Sequence, residues 1–105
     1  MGKPEGKVEN YLIKQSENRD FLCFKFTSPG HKGVPDRVVI GKGKVIFVEL
    51  KSENGHPSKQ QKFVIKKMRD RGADVRLCFT KEEIDALMNE FDQLPDFTPP
   101  ENTMP

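Results

Sequence analysis

The stretch of sequence that decides the fold spans residues 33–51 and is GVPDRVVIGKGKVIFVELK. Within it, two runs rich in β-branched and apolar residues, 38–40 and 45–50, flank a break at 41–43 that contains two glycines. Glycine supplies the positive φ angles that a tight turn between two strands needs. The pattern therefore predicts a β-hairpin whose strands also carry charged residues.

The register of this hairpin depends on which residues form the loop. If the loop is Lys42 and Gly43, Asp36 lies directly opposite Glu49, and Lys51 points to the same face two residues later. Cross-strand partners have Cβ atoms about 4.5–5.5 Å apart, close enough for two carboxylates to bind one divalent cation. A loop one residue longer would separate the two acids. Facing acids destabilise a sheet unless their charge is compensated, which favours a metal site over a surface ion pair.

Composition limits the class of protein. A length of 105 residues fits one domain with a modest core, because 34% of the residues are hydrophobic and 32% are charged. The net charge of +2 neither requires nor excludes a nucleic-acid partner. There is no apolar run of about 18 residues and no apolar stretch of a secretory signal, so we expect an intracellular, cytoplasmic protein without a membrane partner. Cys23 and Cys78 lie apart in apolar runs and are expected to be free thiols.

The first third of the chain predicts a helix and a strand. Helical spacing from Pro4 to about Arg19 places Glu9 on a stripe with apolar residues. For a single glutamate near the start of a helix, a solvated position is the ordinary interpretation. The nearly continuous apolar run at 21–27 predicts a strand that is covered on most of its length.

The second half of the chain predicts helix, strand and helix. Ser58 with Gln61 has the spacing of a capping box that opens a helix ending at Gly72, and a strand is expected at 73–79. A second capping box at Thr80 opens a helix whose apolar stripe is Ile84, Leu87, Met88 and Phe91. The elements give an α/β fold of order αβββαβα with a four-stranded mixed sheet, a domain over residues 1–93. Residues 94–105 are rich in proline and are expected to form a disordered tail or to lie on a partner.

Three motifs in this order resemble those of a known family. Residues 33–36 (GVPD), 48–51 (VELK) and 58–61 (SKQQ) resemble the VRR-NUC (virus-type replication-repair nuclease) family of the PD-(D/E)XK superfamily, most like its small stand-alone phage and bacterial members. The similarity extends from about residue 9 to residue 79. It implies a restriction-endonuclease-like core and a Mg²⁺- or Mn²⁺-dependent endonuclease acting on DNA.

The resemblance also implies roles for individual residues. The implied catalytic set is Glu9, Asp36, Glu49, Lys51 and Gln61. The implied metal ligands are Glu9, Asp36, Glu49 and the main-chain carbonyl of Leu50. Glu5, one helical turn before Glu9, is the alternative for the first position. His31 lies in the loop before the hairpin, but a surface histidine is more often neither a ligand nor a catalyst.

Lysines in the loop before the hairpin and on the helix that begins after Ser58 predict the DNA contact. The lysines expected to bind nucleic acid are Lys32, Lys59, Lys62 and Lys66, although a charged helix face is usually only a solvated face. The resemblance implies branched DNA such as a Holliday junction, or duplex DNA, as substrate, and a homodimer with or without exchanged elements. The alternatives are a non-catalytic nucleic-acid-binding or assembly module on the same fold, and a nicking or flap nuclease that needs a partner.

Overall fold

The structure, a computed structural model, describes residues 4–101, with side chains from residue 6 onwards. The helices are α1 (Pro4–Asn18), α2 (Lys59–Asp70) and α3 (Lys81–Asp92), and the strands are β1 (Leu22–Lys25), β2 (Arg37–Gly41), β3 (Lys44–Leu50) and β4 (Val75–Cys78). The strands form one sheet in the order β1-β2-β3-β4, antiparallel except for the parallel pair β3 and β4. The predicted order αβββαβα and the four-stranded mixed sheet are confirmed.

The hairpin of β2 and β3 has the predicted two-residue turn. Lys42 and Gly43 both have positive φ angles, 53° and 77°, as a type I′ turn requires. The ladder then runs in the predicted register to its last pair, Arg37 opposite Val48. The longer loop that would have separated the two acids is therefore excluded.

The sheet has two different faces. Alternate residues of β2 and β3 point toward α1 and α3, where Val39, Ile46 and Val48 are fully buried in one core with Leu12 and Phe91. Helix α2 lies against β4 on the other face, to which Glu49 and Phe47 point. The proposed site therefore lies on the α2 side of the sheet, away from the main hydrophobic core.

The helix caps follow the sequence prediction. Ser58 Oγ accepts a hydrogen bond from the N–H of Gln61, whose side chain in turn accepts one from the N–H of Ser58, and Thr80 opens α3 in the same way. Gly72 follows α2 with a φ of 95°, which a residue with a side chain rarely adopts. The buried stripe of α3 is also the predicted one: Ile84, Leu87, Met88 and Phe91.

Strand β1 is less covered than its apolar sequence predicts. Leu22 is 50% exposed and Phe24 52% exposed, and Val45 on the same face of the sheet is 47% exposed. Only the opposite face of this segment packs against the core, through Phe21 and Cys23. The prediction of a strand covered on most of its length is wrong, because an apolar run does not reveal whether a second layer exists to cover it.

The start of the proline-rich segment folds back onto the domain. Leu94 packs against the core. A Cβ added at Gly43 would lie 2.5 Å from Phe97 Cδ1, so the phenyl ring lies directly on the hairpin turn. Lys42 Nζ lies 3.6 Å from Asp96 Oδ1 at the same place. For residues 94–97 the structure thus differs from the expected disorder, whereas the domain boundary at 93 remains a prediction; residues 102–105 lie outside the described part.

Two smaller expectations concern the cysteines and membranes. Cys23 and Cys78 are free thiols, as predicted. Burial raises the pKa of both thiols, that of Cys78 to about 11, so neither is a reactive thiolate near neutral pH. No helix within residues 4–101 has the length and apolar character needed to cross a membrane.

Candidate metal centre

Asp36 and Glu49 meet at the end of the hairpin, one position beyond its last ladder pair. Asp36 Oδ2 accepts a hydrogen bond of 3.0 Å from the N–H of Leu50, which holds this carboxylate against β3. The side chain of Glu49 is fully buried. The structure therefore brings together the two acids that the hairpin register predicts.

The two oxygens of the Glu49 carboxylate have different surroundings. Oε2 accepts a hydrogen bond of 2.8 Å from Gln61 Nε2 and lies 3.3 Å from Lys51 Nζ. Oε1 is buried and has no hydrogen-bond partner among the described residues. A buried carboxylate oxygen without a donor or a cation is unfavourable. Positive charge placed at Oε1 would therefore be stabilised.

The pKa of Glu49 in the metal-free site also favours a bound cation. The pKa of Glu49 is raised from 4.5 to about 7, first by burial and second by the negative charge of Asp36, while Lys51 lowers it. Glu49 thus tends to hold a proton close to neutral pH. A cation beside the two carboxylates would favour the ionised form of Glu49 and so oppose this shift.

Gln61 connects the second helix to the site. Its side-chain oxygen accepts a hydrogen bond of 2.8 Å from the N–H of Ser58 and completes the capping box. Its side-chain nitrogen donates to Glu49 at the same time. Both roles expected for Gln61, helix capping and presence at the acidic site, therefore coexist in one side chain.

Glu9 is not part of this carboxylate pair. Its Oε2 accepts a hydrogen bond of 2.8 Å from Arg37 Nε. Arg37 is the ladder partner of Val48, so its side chain lies on the α1 face of the sheet, opposite to the face of Glu49. Among the described residues no three His, Cys, Asp or Glu side chains are grouped to hold a metal ion. The other possible ligand, Glu5, has a side chain outside the described part.

Arg37 was not identified from the sequence. A signal was present, because Arg37 directly follows Asp36 and successive strand residues point to opposite faces. Alternation places Arg37 on the side of Val39, where α1 packs. A cation at that position attracts an acid from the first turns of α1, and Glu9 is the acid within reach.

The residues at the site fit a hard divalent cation such as Mg²⁺. Mg²⁺ prefers oxygen ligands and is commonly held by one or two carboxylates, with water and substrate phosphate completing its coordination. Asp36 and Glu49 supply two carboxylates, and Glu49 Oε1 is buried without a partner among the described residues. Ligation by the Leu50 carbonyl remains a prediction.

The lysines predicted to bind DNA occupy two places. Lys32 lines a cavity beside α2. Lys59 and Lys62 are exposed on α2, and Lys66 forms an ion pair of 2.8 Å with Asp70 one helical turn later. This pair compensates part of the positive charge of α2.

Comparison with known proteins identifies the family. The model of the VRR-NUC domain matches residues 5–82, which include Asp36, Glu49, Lys51 and Gln61. The chain belongs to the VRR-NUC family. A solved structure titled "VRR_NUC domain" superposes with a TM-score of 0.77 and 31% identity, over 84% of this chain and 97% of that one. The family assignment made from the three motifs is confirmed, and the chain carries a nuclease-type domain.

A curated relative of this VRR-NUC chain comes from a phage. It is named "Putative nuclease p44", from Acyrthosiphon pisum secondary endosymbiont phage 1, and is 40% identical over 58 residues. The match covers 54% of this chain and 62% of the relative, so the chain spans less than two thirds of that protein's length.

Proposed function

We propose that this VRR-NUC chain is a Mg²⁺- or Mn²⁺-dependent endonuclease that hydrolyses DNA phosphodiester bonds, with branched DNA such as a four-way junction as the preferred substrate. One observation carries the proposal: the buried Glu49 carboxylate lies beside Asp36 and is held by Lys51 and Gln61. A buried acid next to another acid costs stability in the metal-free protein. Such an arrangement is expected where function requires it.

The protein's own residues would prepare the site for phosphate hydrolysis. Asp36 and Glu49 would hold the ion, which supplies polarisation of a phosphoryl oxygen and a lowered pKa for the attacking water. The hydrogen bond from the N–H of Leu50 fixes Asp36, and the hydrogen bond from Gln61 fixes Glu49. Neither carboxylate therefore has to reorient before the reaction, which favours a preorganised site.

Lys51 would supply positive charge where negative charge develops. Its ammonium is 3.3 Å from Glu49 Oε2, and its side chain is 19% exposed. A partly buried cation stabilises the charge of a phosphoryl transition state more strongly than a fully solvated one. Lys51 would also orient the attacking water.

DNA is the proposed partner because exposed lysines lie on the two elements next to the site. Lys32 lies in the loop before Asp36, and Lys59 and Lys62 lie in the first turns of α2 close to Gln61. Contacts of this kind bind the phosphate backbone and make affinity fall steeply with salt. Lys66 would contribute less because Asp70 compensates its charge.

A second copy of the chain is the proposed protein partner. The outer face of β1 and its neighbours leaves Leu22, Phe24 and Val45 about half exposed. Contiguous apolar surface of this kind is typical of interfaces. Sedimentation of Phe24→Lys, compared with wild type, would test this: a shift to monomer supports the homodimer on this face, and an unchanged dimer places the interface elsewhere.

Cleavage of labelled DNA tests the main proposal. The substrates are a four-way junction, a nicked duplex, a flap and a linear duplex, each with Mg²⁺, Mn²⁺ or EDTA. We expect wild type and the control Lys14→Ala to cleave the junction when metal is present. Lys51→Ala should not cleave it. Lys14 is exposed on α1, away from the site, so the control removes one lysine of equal charge.

The other outcomes distinguish the alternatives. Equal cleavage of all substrates would keep the nuclease and remove the junction preference. Cleavage restricted to the flap, or to one strand of the linear duplex, would support the nicking or flap nuclease. Junction binding without cleavage under any metal would favour the non-catalytic module.

A further inference from the structure

A groove next to the proposed active site is not used by the nuclease chemistry. It lies between α2 and the loop that precedes β2, and its cavity volume is about 540 Å³. Phe26, Val64 and Met68 form part of its apolar floor. Phe63 lies at its edge with 58% of its surface exposed. The ring continues the apolar floor to the surface, and a contiguous exposed apolar patch of this kind is typical of binding sites.

The rim of the groove is positively charged. Lys32, Lys67 and Arg71 line it and are exposed, and His31 lies beside them. Among the described residues that line the cavity, none is acidic. Lys67 Nζ lies 5.0 Å from the centroid of the Phe63 ring, so a cation and an aromatic surface occur together.

The groove and the proposed metal centre are both bounded by α2 and meet at its first turn. Gln61 contacts Glu49, whereas the adjacent Gln60 Nε2 donates to the carbonyl of Lys32, at 3.4 Å, in the loop that forms the groove. A Cβ at Gly33 would lie 2.9 Å from the carbonyl oxygen of Gln60, and Gly33 has a φ of 93°. Only a glycine allows this loop to approach α2 so closely. A chain leaving the acidic site along α2 would therefore enter the groove.

The spacing of the groove residues matches a nucleic-acid strand. Phe63 and Lys67 lie four residues apart on one stripe of α2, and Arg71, the residue that caps the end of this helix, follows four residues later. Eight residues of helix span about 12 Å. Stacked bases rise about 3.4 Å per step along a strand, so the stripe has the length of a few nucleotides.

We infer that this groove binds a few unpaired nucleotides of a single-stranded DNA segment adjoining the cleaved bond, with Phe63 stacking on a base and Lys32, Lys67 and Arg71 contacting phosphates. Aromatic platforms with neighbouring cations bind single strands in this way, with little sequence preference. The inference rests on the proposed function, because it assumes DNA as the substrate. It adds a contact with bases that unpair beside the cut at a branch point, which the acidic site alone does not provide.

Binding of a fluorescent oligothymidylate in EDTA tests the groove without any cleavage. Fluorescence anisotropy should show that Phe63→Leu weakens binding at least fivefold, whereas Phe63→Tyr binds like wild type, because stacking on one base contributes that much. Lys67→Ala and Arg71→Ala should each lower the slope of log Kd against log salt by about 0.7, the value for one phosphate contact on a single strand.

Two matched controls should leave binding unchanged. Phe97→Leu removes another half-exposed phenyl ring, outside the groove. Lys81→Ala removes a lysine whose Nζ lies 5.4 Å from the ring centroid of Tyr11, a similar cation and aromatic pair elsewhere. Equal weakening by Phe63→Leu and Phe97→Leu, or no weakening by Phe63→Leu, would overturn the inference.

The same variants separate the groove from the proposed nuclease. Wild type that cleaves DNA but does not bind the oligothymidylate would overturn the groove and leave the nuclease. Binding that depends on Phe63, without cleavage by wild type, would support the groove while the nuclease fails. A change of oligomeric state in Phe63→Leu, with unchanged oligothymidylate binding, would show that the groove holds a second copy and would overturn the inference.

Discussion

Arg37 and Glu9 form an ion pair, 2.8 Å between Nε and Oε2, on the face of the sheet opposite to Glu49. Glu9 is the position that the family motif implies as a metal ligand, yet in this structure its carboxylate is already held by a cation. To reach Asp36 and Glu49 it would have to leave Arg37. With the ion pair formed, the carboxylates available to a metal ion among the described residues of the site are those of Asp36 and Glu49.

Substitution of Glu9 tests this limit. We expect Glu9→Gln to leave Mg²⁺ affinity within about threefold of wild type, and to lower the free energy of unfolding by about 1 kcal/mol through the weakened ion pair. Isothermal titration calorimetry and urea unfolding measure the two effects. A loss of Mg²⁺ affinity of tenfold or more, with unchanged stability, would instead place Glu9 on the ion.

The raised pKa of Glu49 predicts how stability depends on pH in EDTA. Between pH 4.5 and about 7, the folded protein keeps a proton on Glu49 that the unfolded chain has lost. Raising the pH across this interval therefore lowers the free energy of unfolding attributable to Glu49, by up to about 3 kcal/mol, and the effect levels off above pH 7. Urea unfolding of Glu49→Gln should lack this component. Parallel pH profiles for the two proteins would contradict the prediction.

Metal binding should release the same proton. Below pH 7 a cation must displace the proton of Glu49, whereas above about pH 8 the carboxylate is already ionised. Calorimetric titration with Mg²⁺ in two buffers of different ionisation enthalpy should thus show buffer-dependent heats at pH 6 and nearly equal heats at pH 8.5. Equal heats at pH 6 would mean that Glu49 does not exchange a proton for the ion.

Two substitutions of Asp36 separate charge from hydrogen bonding. Asp36→Asn keeps an oxygen that can accept from the N–H of Leu50, whereas Asp36→Ala leaves that N–H without this acceptor. Both variants should lose Mg²⁺ binding. The pKa of Glu49 should be lower in both than in wild type, because the negative charge of Asp36 is removed. We expect Asp36→Ala to be the less stable by about 1–3 kcal/mol in EDTA. Equal stability in urea unfolding would show that the hydrogen bond contributes little.

Replacement of Gln61 separates its two roles. Glutamate also completes a capping box, so Gln61→Glu should keep the helix stable. It loses the amide donor to Glu49 and adds a third carboxylate, so cleavage of the junction should be lost. Gln61→Ala loses the cap as well and should cost about 1 kcal/mol of stability. Wild-type cleavage by Gln61→Glu would show that the amide is not needed at the site.

The parts of the fold that the sequence predicted are those set by short-range rules. Turn chemistry at Lys42 and Gly43 fixed the hairpin register, and with it the meeting of Asp36 and Glu49. The spacing of Ser58 and Gln61 fixed the start of α2. In each case a local steric or hydrogen-bond requirement leaves few alternatives.

The parts that the sequence did not predict depend on long-range packing. The exposure of Phe24 depends on how far α2 extends across the sheet, and the position of Phe97 depends on a hydrophobic surface beside the hairpin turn. The pairing of Glu9 with Arg37 joins residues 28 positions apart. Local sequence rules contain no information about such distances.

The shared side chain of Gln61 makes the first turn of α2 and the acidic site one cooperative unit. Opening that turn breaks the hydrogen bond with Ser58 and withdraws the amide from Glu49 in the same event. An ion that binds only the closed arrangement must therefore slow hydrogen exchange of the amides at the start of α2. Occupancy of the metal centre can thus be followed on the backbone of a helix that supplies none of the proposed metal ligands.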